Sequence, residues 1–440
     1  MTGERRRAAF CTLGCKVNQY ETEALIALFK KRGYDIVDFT EEADVYILNT
    51  CTVTHLADRK SRQLIRRCLK TNPHARVAVT GCYAQNAPEE VARIPGVSLV
   101  AGTMERKRLA DWMEELEKDS RPVTRVKDVR NAGTFEEIEA DRIIERARPY
   151  LKVQEGCEQF CTYCIIPYVR GTPRSLPPEN AVREAKSLIE AGFKEIILTG
   201  IHLGAYGRDL GAGASLESLL RELLELAENV RWRLSSLEPV EVTRELLRLI
   251  QEYRNFCPHL HLPLQSGHDE ILRAMNRPYT TAKYREIVEM ARESVPDICI
   301  TTDIMAGFPG ETDRHFEECL RIVEEMAFGD LHVFKYSPRR GTPAARLPRQ
   351  VPPPVKEKRS RELIRLGERL AHRYASVFLG RRLEVLAETL VGDDLWEGHS
   401  ANYLTVRFKS TEFRRGQIIP VEVTAVKGKI CSGRVLRQET

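Results

Sequence analysis

Three cysteines stand close together in the stretch Gly156 to Arg170: Cys157, Cys161 and Cys164, in a C-x3-C-x2-C pattern. Three thiolates at this spacing can ligate one metal centre. A closed structural zinc site takes four Cys or His ligands, and iron–sulfur clusters are usually held by four thiolates. No fourth Cys or His follows within the run, the next being His202. A cubane cluster with one iron left open satisfies that count. An open metal position is where a substrate or cofactor binds, which is the logic of a catalytic site. A zinc knuckle closed by a distant His, or three unrelated core cysteines, would also match the bare spacing.

A second set is scattered. Cys15, Cys51 and Cys82 each follow a short apolar run. Residues 1–115 alternate such runs (Ala8–Leu13, Val45–Leu48, Val77–Thr80, Val97–Val100) with helical patterns (Tyr20–Lys31, Leu56–Leu69, Pro88–Arg93, Arg106–Leu116). Strands alternating with helices predict a parallel sheet in an α/β domain. Ligands of open α/β sheets bind outside the carboxyl ends of the strands. The three thiolates could therefore converge from three loops, although scattered cysteines also serve as small buried hydrophobes.

Residues 117–148 are charged and poor in large apolar residues, and read as a linker with room for one strand. From Tyr150 a new series starts, with strands at Leu151–Gln154, Glu195–Leu198, Arg231–Leu234, His259–Leu264, Ile298–Met305 and Leu331–Phe334 and helical patterns between them. Six βα units predict a partial parallel barrel that works at its strand C-terminal ends. The Cys157–Cys164 loop follows the first of these strands. Pro348–Pro354 is a stiff joint. Lys356–Arg373 is a basic amphipathic helix with Leu363, Leu366 and Leu370 on one face. Short runs at Leu383–Ala387, Tyr403–Phe408, Ile418–Val426 and Ile430–Val435 predict a small β-barrel, an architecture often used to bind RNA.

The chain of 440 residues is too long for one ordinary core. No uncharged apolar run approaches a membrane span. Arg5-Arg6-Arg7 ahead of Ala8–Leu13 only faintly mimics a signal peptide, and the run reads as a first strand, so a cytoplasmic protein with no membrane partner is expected. In a reducing compartment twelve Cys point to metal rather than disulfides. Residues 335–440 carry 22 Lys and Arg against 11 Asp and Glu, a balance of +11, whereas the first 334 residues carry 46 against 52. A basic C-terminal region suits a polyanionic partner, nucleic acid first, or a plain solvated face.

The Cys157–Cys164 pattern, with Tyr163 before its last Cys, resembles the signature of the radical S-adenosylmethionine (SAM) enzymes. Thr12-Leu-Gly-Cys-Lys-Val-Asn-Gln-Tyr-Glu-Thr-Glu23, Asn49-Thr-Cys-Thr-Val-Thr54 and Thr80-Gly-Cys-Tyr-Ala-Gln85 resemble the three N-terminal motifs of the methylthiotransferases within them. The resemblance covers nearly the whole chain. It implies a [4Fe–4S] cluster on Cys157, Cys161 and Cys164 whose open iron chelates SAM, so that electron transfer yields a 5′-deoxyadenosyl radical. It implies a second, auxiliary [4Fe–4S] cluster on Cys15, Cys51 and Cys82, and it leaves Cys11, Cys68, Cys257, Cys299, Cys319 and Cys431 structural. Tyr163, Thr199, Gly200, Ser235, Glu238, Gln265, Asp303 and Gly307 fall in family-like segments expected to contact SAM; by themselves those segments are also ordinary Gly/Pro turns.

The expected architecture is therefore α/β: an auxiliary-cluster domain over 1–117, a linker over 118–142, a radical SAM domain over 143–373 and a TRAM-like RNA-binding barrel over 374–440. The reaction implied is replacement of an unactivated C–H by C–S–CH3, with a second SAM supplying the methyl group. The expected partners are tRNA, an electron donor of the flavodoxin or ferredoxin type, and a sulfur donor. The run after Cys15 resembles the branch acting on N6-threonylcarbamoyladenosine, whose carboxylate calls for a cation in the pocket, with Lys16, Arg170 and Arg174 as candidates. The alternatives are isopentenyladenosine in tRNA, a ribosomal-protein aspartate, and a zinc-containing RNA-binding protein that is no enzyme.

Overall fold

The computed structural model describes residues 5–116, 121–138 and 145–436. Residues 118–120 and 139–142 of the expected linker lie outside the described residues. The chain forms two compact units. The first comprises residues 1–145, 154–176 and 337–345; the second comprises 146–153, 177–336 and 346–440. This division cuts across the boundaries expected at 117, 142 and 373, because the Cys157–Cys164 loop and its following helix pack with the N-terminal residues.

In the first unit, β1 (Arg7–Thr12), β2 (Asp35–Val37), β3 (Val45–Thr50), β4 (Arg76–Gly81), β5 (Val97–Ala101) and β6 (Val123–Arg125) form a sheet in the order β2-β1-β3-β4-β5-β6, parallel throughout. All six residues of β3 are buried. Its side chains alternate between two cores, Tyr46 and Leu48 in one and Val45 and Ile47 in the other. That is why β3 reads as an unbroken apolar run. The order reverses between β1 and β3, the kind of switch point where doubly wound sheets open a crevice for ligands. β1, β3 and β4 are neighbours, so the loops leaving their C-terminal ends lie side by side.

β7 (Tyr150–Glu155) contributes to both units; Gln154 and Glu155 pair antiparallel with β8 (Arg174–Ser175) in the first. In the second unit, β9 (Glu195–Gly200) and β10 (Arg231–Leu234) pair in parallel beside β7. β11 (His259–His261), β12 (Cys299–Ala306) and β13 (Asp330–Lys335) form a parallel sheet in that order. Parallel bridges from Trp232 to Phe256 and from Ser236 to His261 join β10 to the β11 segment, and β7 with β9 to β13 make up the six strands of an open barrel.

β14 (Arg382–Leu390), β15 (Leu395–Ser400), β16 (Thr405–Lys409), β17 (Ile418–Lys427) and β18 (Ile430–Val435) close into a five-stranded barrel around Val385, Val406, Phe408, Ile419 and Val421. β15 is absent from the sequence reading because its Leu-Trp-Glu-Gly-His-Ser run shows no clean alternation. This barrel is docked on the larger one. The Tyr403 ring, on a residue with φ of +67°, stacks on His259 at 4.3 Å between centroids. Buried Arg233 lies over the same ring, donates to the Ser400 and Ala401 carbonyls at 3.0 Å, and pairs with buried Glu195 at 2.7 Å. No helix among the described residues is long and apolar enough to cross a membrane.

Candidate cluster sites

Cys15 caps the Lys16–Lys31 helix just after β1, Cys51 follows β3, and Cys82 opens the Cys82–Asn86 helix after β4. Two glycines make this approach possible. Gly14 has φ of +112°, and a Cβ there would sit 2.9 Å from the Cys51 Cβ and 3.3 Å from its sulfur. Gly81 has φ of +91°, and a Cβ there would meet Asn49 Oδ1 at 2.4 Å. Both positions demand a conformation and a clearance that only glycine offers.

The three thiols feel one another. Burial pushes the Cys51 thiol up to about 12, with charge on Cys82 and Cys15 adding to the rise. Burial also raises Cys82, against the pull of the Arg170 guanidinium. Cys82 is buried and Cys51 half-buried, whereas Cys15 is exposed; thiolates on the enclosed positions repel one another unless a cation lies among them. Three sulfur donors on converging loops thus fit a metal cluster with one position left for another ligand.

Behind Cys82 lies a buried ionic network that the sequence did not disclose. All five N–H groups of Arg170 are engaged: Nε to Cys82 Sγ at 3.3 Å, Nη1 to Glu21 at 2.5 Å and Glu155 at 2.8 Å, Nη2 to Asn18 at 2.6 Å and Glu21 at 3.2 Å. Arg106, equally buried, pairs with Glu21, with Glu136 at 3.3 Å and with Glu155 at 3.2 Å. Burial alone would disfavour the charge on Arg170, but Cys82, Glu21 and Glu155 hold it. Asn18 and Glu21 lie one turn apart on the helix capped by Cys15, so their spacing carries the signal for a shared face; nothing in it identifies the partner.

Arg170 is therefore committed to Cys82 and its carboxylates and retains no N–H for a substrate carboxylate. Arg174 is also buried, and donates to the carbonyls of Thr172 at 2.9 Å and Arg170 at 3.1 Å. Lys16, beside Cys15, is half-buried.

Cys157, Cys161 and Cys164 occupy the loop after β7. The Cys157 amide donates to the Gly171 carbonyl at 2.8 Å and the Cys164 amide to the Cys161 carbonyl at 2.9 Å, which curls the loop around its sulfurs. The Ala344 amide ties it at Thr162, again at 2.8 Å. Phe160 takes φ of +47° and lies exposed, edge-on to Tyr168. Tyr163 is half-buried in the same loop. The following residues Ile165 and Val169 pack directly on Cys82, so one short helix, Ile166–Arg170, links the two cysteine sets.

The other expected residues lie in the second unit. Thr199 and Gly200 end β9, Ser235 follows β10, and Gly307 follows β12 with its amide on the Glu311 carboxylate. Ser235 Oγ is buried without a hydrogen-bond partner. Gln265 has φ of +65° and its amide donates to the Asp303 carbonyl. Glu238 pairs with Arg277. Asp303 lies inside β12 rather than at its end, and its Oδ1 accepts from His261 at 3.1 Å and His332 at 3.3 Å, so its carboxylate is already engaged. Of the cysteines outside the triads, Cys68, Cys257, Cys299, Cys319 and Cys431 are buried and Cys11 is half-buried.

Residues 151–323 match the Radical SAM superfamily, and residues 7–102 match the uncharacterized protein family UPF0004. The chain is 42% identical, over 94% of its length and 93% of the relative's, to the threonylcarbamoyladenosine tRNA methylthiotransferase MtaB of Bacillus subtilis. It is 41% identical to MtaB of Aquifex aeolicus over 86% of this chain and 92% of that one. The tRNA-2-methylthio-N(6)-dimethylallyladenosine synthase of Acetivibrio thermocellus is 34% identical over 99% and 92%. The radical SAM methyltransferase TsrM of Kitasatospora setae superposes with a TM-score of 0.56 at 16% identity, over 78% of this chain and 77% of that structure, a likeness of fold. Identity at this level along nearly the whole of both chains, with a radical SAM segment inside the matched span, means that the chain belongs to the tRNA methylthiotransferase family of the Radical SAM superfamily.

Proposed function

We propose that the protein methylthiolates C2 of N6-threonylcarbamoyladenosine beside the anticodon of tRNA, using SAM. The observation that carries a sulfur-inserting activity is the convergence of Cys15, Cys51 and Cys82 from neighbouring strand ends, beside the loop of Cys157, Cys161 and Cys164. One set of thiolates suffices to cleave SAM; a second set is what a sulfur carrier needs. The threonylcarbamoyl branch is supported by the higher identity to relatives of that name.

On this reading Cys157, Cys161 and Cys164 hold the [4Fe–4S] cluster of the superfamily, and Cys15, Cys51 and Cys82 hold a second one. The chemistry supplied when these groups are bound is one-electron cleavage of SAM, removal of the hydrogen atom from C2, and delivery of methylated sulfur. The chain's own residues position and shield. Thr199, Gly200, Ser235 and Gly307 line the strand ends where SAM is expected. Arg170 keeps a positive charge against Cys82, and the Ile165 and Val169 side chains exclude water between the two cysteine sets. The C-terminal barrel contributes the RNA contact. An electron donor of the flavodoxin or ferredoxin type and a sulfur donor complete the reaction, which we place in the cytoplasm.

The test is mass spectrometry of tRNA nucleosides from a strain lacking the gene. Accumulation of the threonylcarbamoyl nucleoside with loss of its 2-methylthio form is expected. Persistence of that form, with loss of methylthio-isopentenyladenosine, would give the protein the other substrate.

A further inference from the structure

The inner face of β11–β13 carries a side-chain arrangement that the cluster chemistry leaves unused. Register pairs Asp303 with His332 and Met305 with Phe334. In parallel strands paired residues share a face, so His332 and Phe334 stand on one face with Asp303 and Met305. The opposite face is covered: Ile300, Thr302, Ile304 and Ala306 are buried, and Leu331 packs on Gly367 of the Pro353–Ser376 helix. On the inner face, by contrast, the Phe334 ring is 48% exposed and the His332 side chain 50% exposed.

An open aromatic ring beside an open imidazole, on a face that ought to be packed, is a binding surface in waiting. The imidazole is held in place from behind. His332 Nδ1 donates to Asp303 Oδ1, which also accepts from His261 Nε2; His261 Nδ1 meets Thr301 Oγ1 at 2.8 Å, and that hydroxyl meets His259 Nε2 at 3.0 Å. His261 and His332 stack with centroids 5.1 Å apart. Burial works to raise the Asp303 carboxyl, but the two imidazole donors hold it well below the carboxylate range. With Nδ1 committed to Asp303, Nε2 is the outward atom of His332.

Resting on the substrate reading above, we propose that His332 and Phe334 form the specificity pocket for the modified base: Phe334 stacks on the purine, and His332, bound as the imidazolium between Asp303 and the ligand, donates Nε2–H to the carboxylate of the threonylcarbamoyl group. Aromatic stacking on a splayed RNA base is the usual first element of such recognition, and it is indifferent to the substituent. The carboxylate contact is what discriminates. Two imidazoles and a carboxylate would also suit a divalent cation, and the test includes that case.

The experiment uses the full, iron-reconstituted chain and three anticodon hairpins: one with threonylcarbamoyladenosine, one with its carboxylate methylated to the ester, and one with isopentenyladenosine. The wild type is expected to bind the acid about tenfold more tightly than the ester. His332→Ala should bring that ratio to about one through the acid alone, with His332→Gln recovering part of it. Phe334→Ala should weaken all three hairpins alike, by about tenfold. A His332→Ala chain that keeps the full ratio would overturn the assignment while leaving the substrate intact, and so would a stoichiometric divalent ion in the wild type that His332→Ala loses. A wild type that methylthiolates the isopentenyl hairpin and ignores the threonylcarbamoyl one would instead overturn the substrate reading.

Discussion

The two cysteine sets of the first unit are built in opposite ways. Cys157, Cys161 and Cys164 belong to one loop whose own amides shape it. Cys15, Cys51 and Cys82 come from three loops of a sheet and meet only when β1, β3 and β4 are in register. The local set has its geometry in its spacing. The distant set borrows its geometry from elsewhere: clearance at Gly14 and Gly81, and the Arg170 network behind Cys82. A site made of distant pieces needs braces that a local loop does not, and those braces are open to mutation.

Replacing all three cysteines of either set has the largest expected effect and tests whether the sets are separate. Cys157, Cys161 and Cys164 to Ala should abolish SAM cleavage and leave about four iron atoms of about eight. Cys15, Cys51 and Cys82 to Ala should spare SAM cleavage and end sulfur insertion. Iron analysis and a 5′-deoxyadenosine assay read both; loss of all iron from either folded triple variant would make them one site.

Next comes the brace. Arg170→Met leaves Glu21 and Glu155 buried with less positive charge, which should cost about 3–5 kcal/mol in urea unfolding. Iron held by the distant set should drop while the local loop keeps its own. If iron falls equally from both, the network supports the whole unit rather than Cys82.

A control from the second unit sharpens this. Buried Glu195 is held down to about 2, burial opposing and Arg233 with Arg148 prevailing. Its folded value lies below the unfolded one, so its contribution is complete above about pH 4.5 and is lost as pH falls through about 2; it amounts to about 3 kcal/mol. Glu195→Gln should flatten stability against pH across that window and leave all the iron in place. Iron loss in this variant would mean that any destabilisation of the chain empties the distant set.

The smallest effect is expected at Gly81→Ala, about 1–3 kcal/mol for the left-handed backbone and the contact with Asn49. Iron on the distant set should fall in proportion, with SAM cleavage unchanged by the same assay.

Much of this was legible in the residues. The alternation of runs with helical patterns gave the parallel sheet and the six-stranded open barrel, and the position of each Cys after a strand gave the convergence. Arg170 was legible as a cation but not as a buried one. Its spacing from Cys164 does not disclose that Glu21, 149 residues earlier, comes within hydrogen-bonding distance. The grouping of Cys157–Cys164 with the N-terminal sheet was hidden for the same reason, since contacts such as Val169 on Cys82 join segments with no common pattern. β15 escaped because polar residues interrupt its period.

The docking of Tyr403 has a mechanical consequence. A module on a slack tether searches a volume, and the entropy of that search is repaid each time it binds. Here the Ser400–Tyr403 turn is wedged against His259 and fastened by Arg233, so the five-stranded barrel and the open barrel share one frame. If RNA is gripped at the outer surface of this barrel, as proposed above, it is held at a set distance and angle from the inner face of β11–β13, like work clamped against a fence. Reach becomes a property of the fold, and lengthening the joint at Pro348–Pro354 would not extend it.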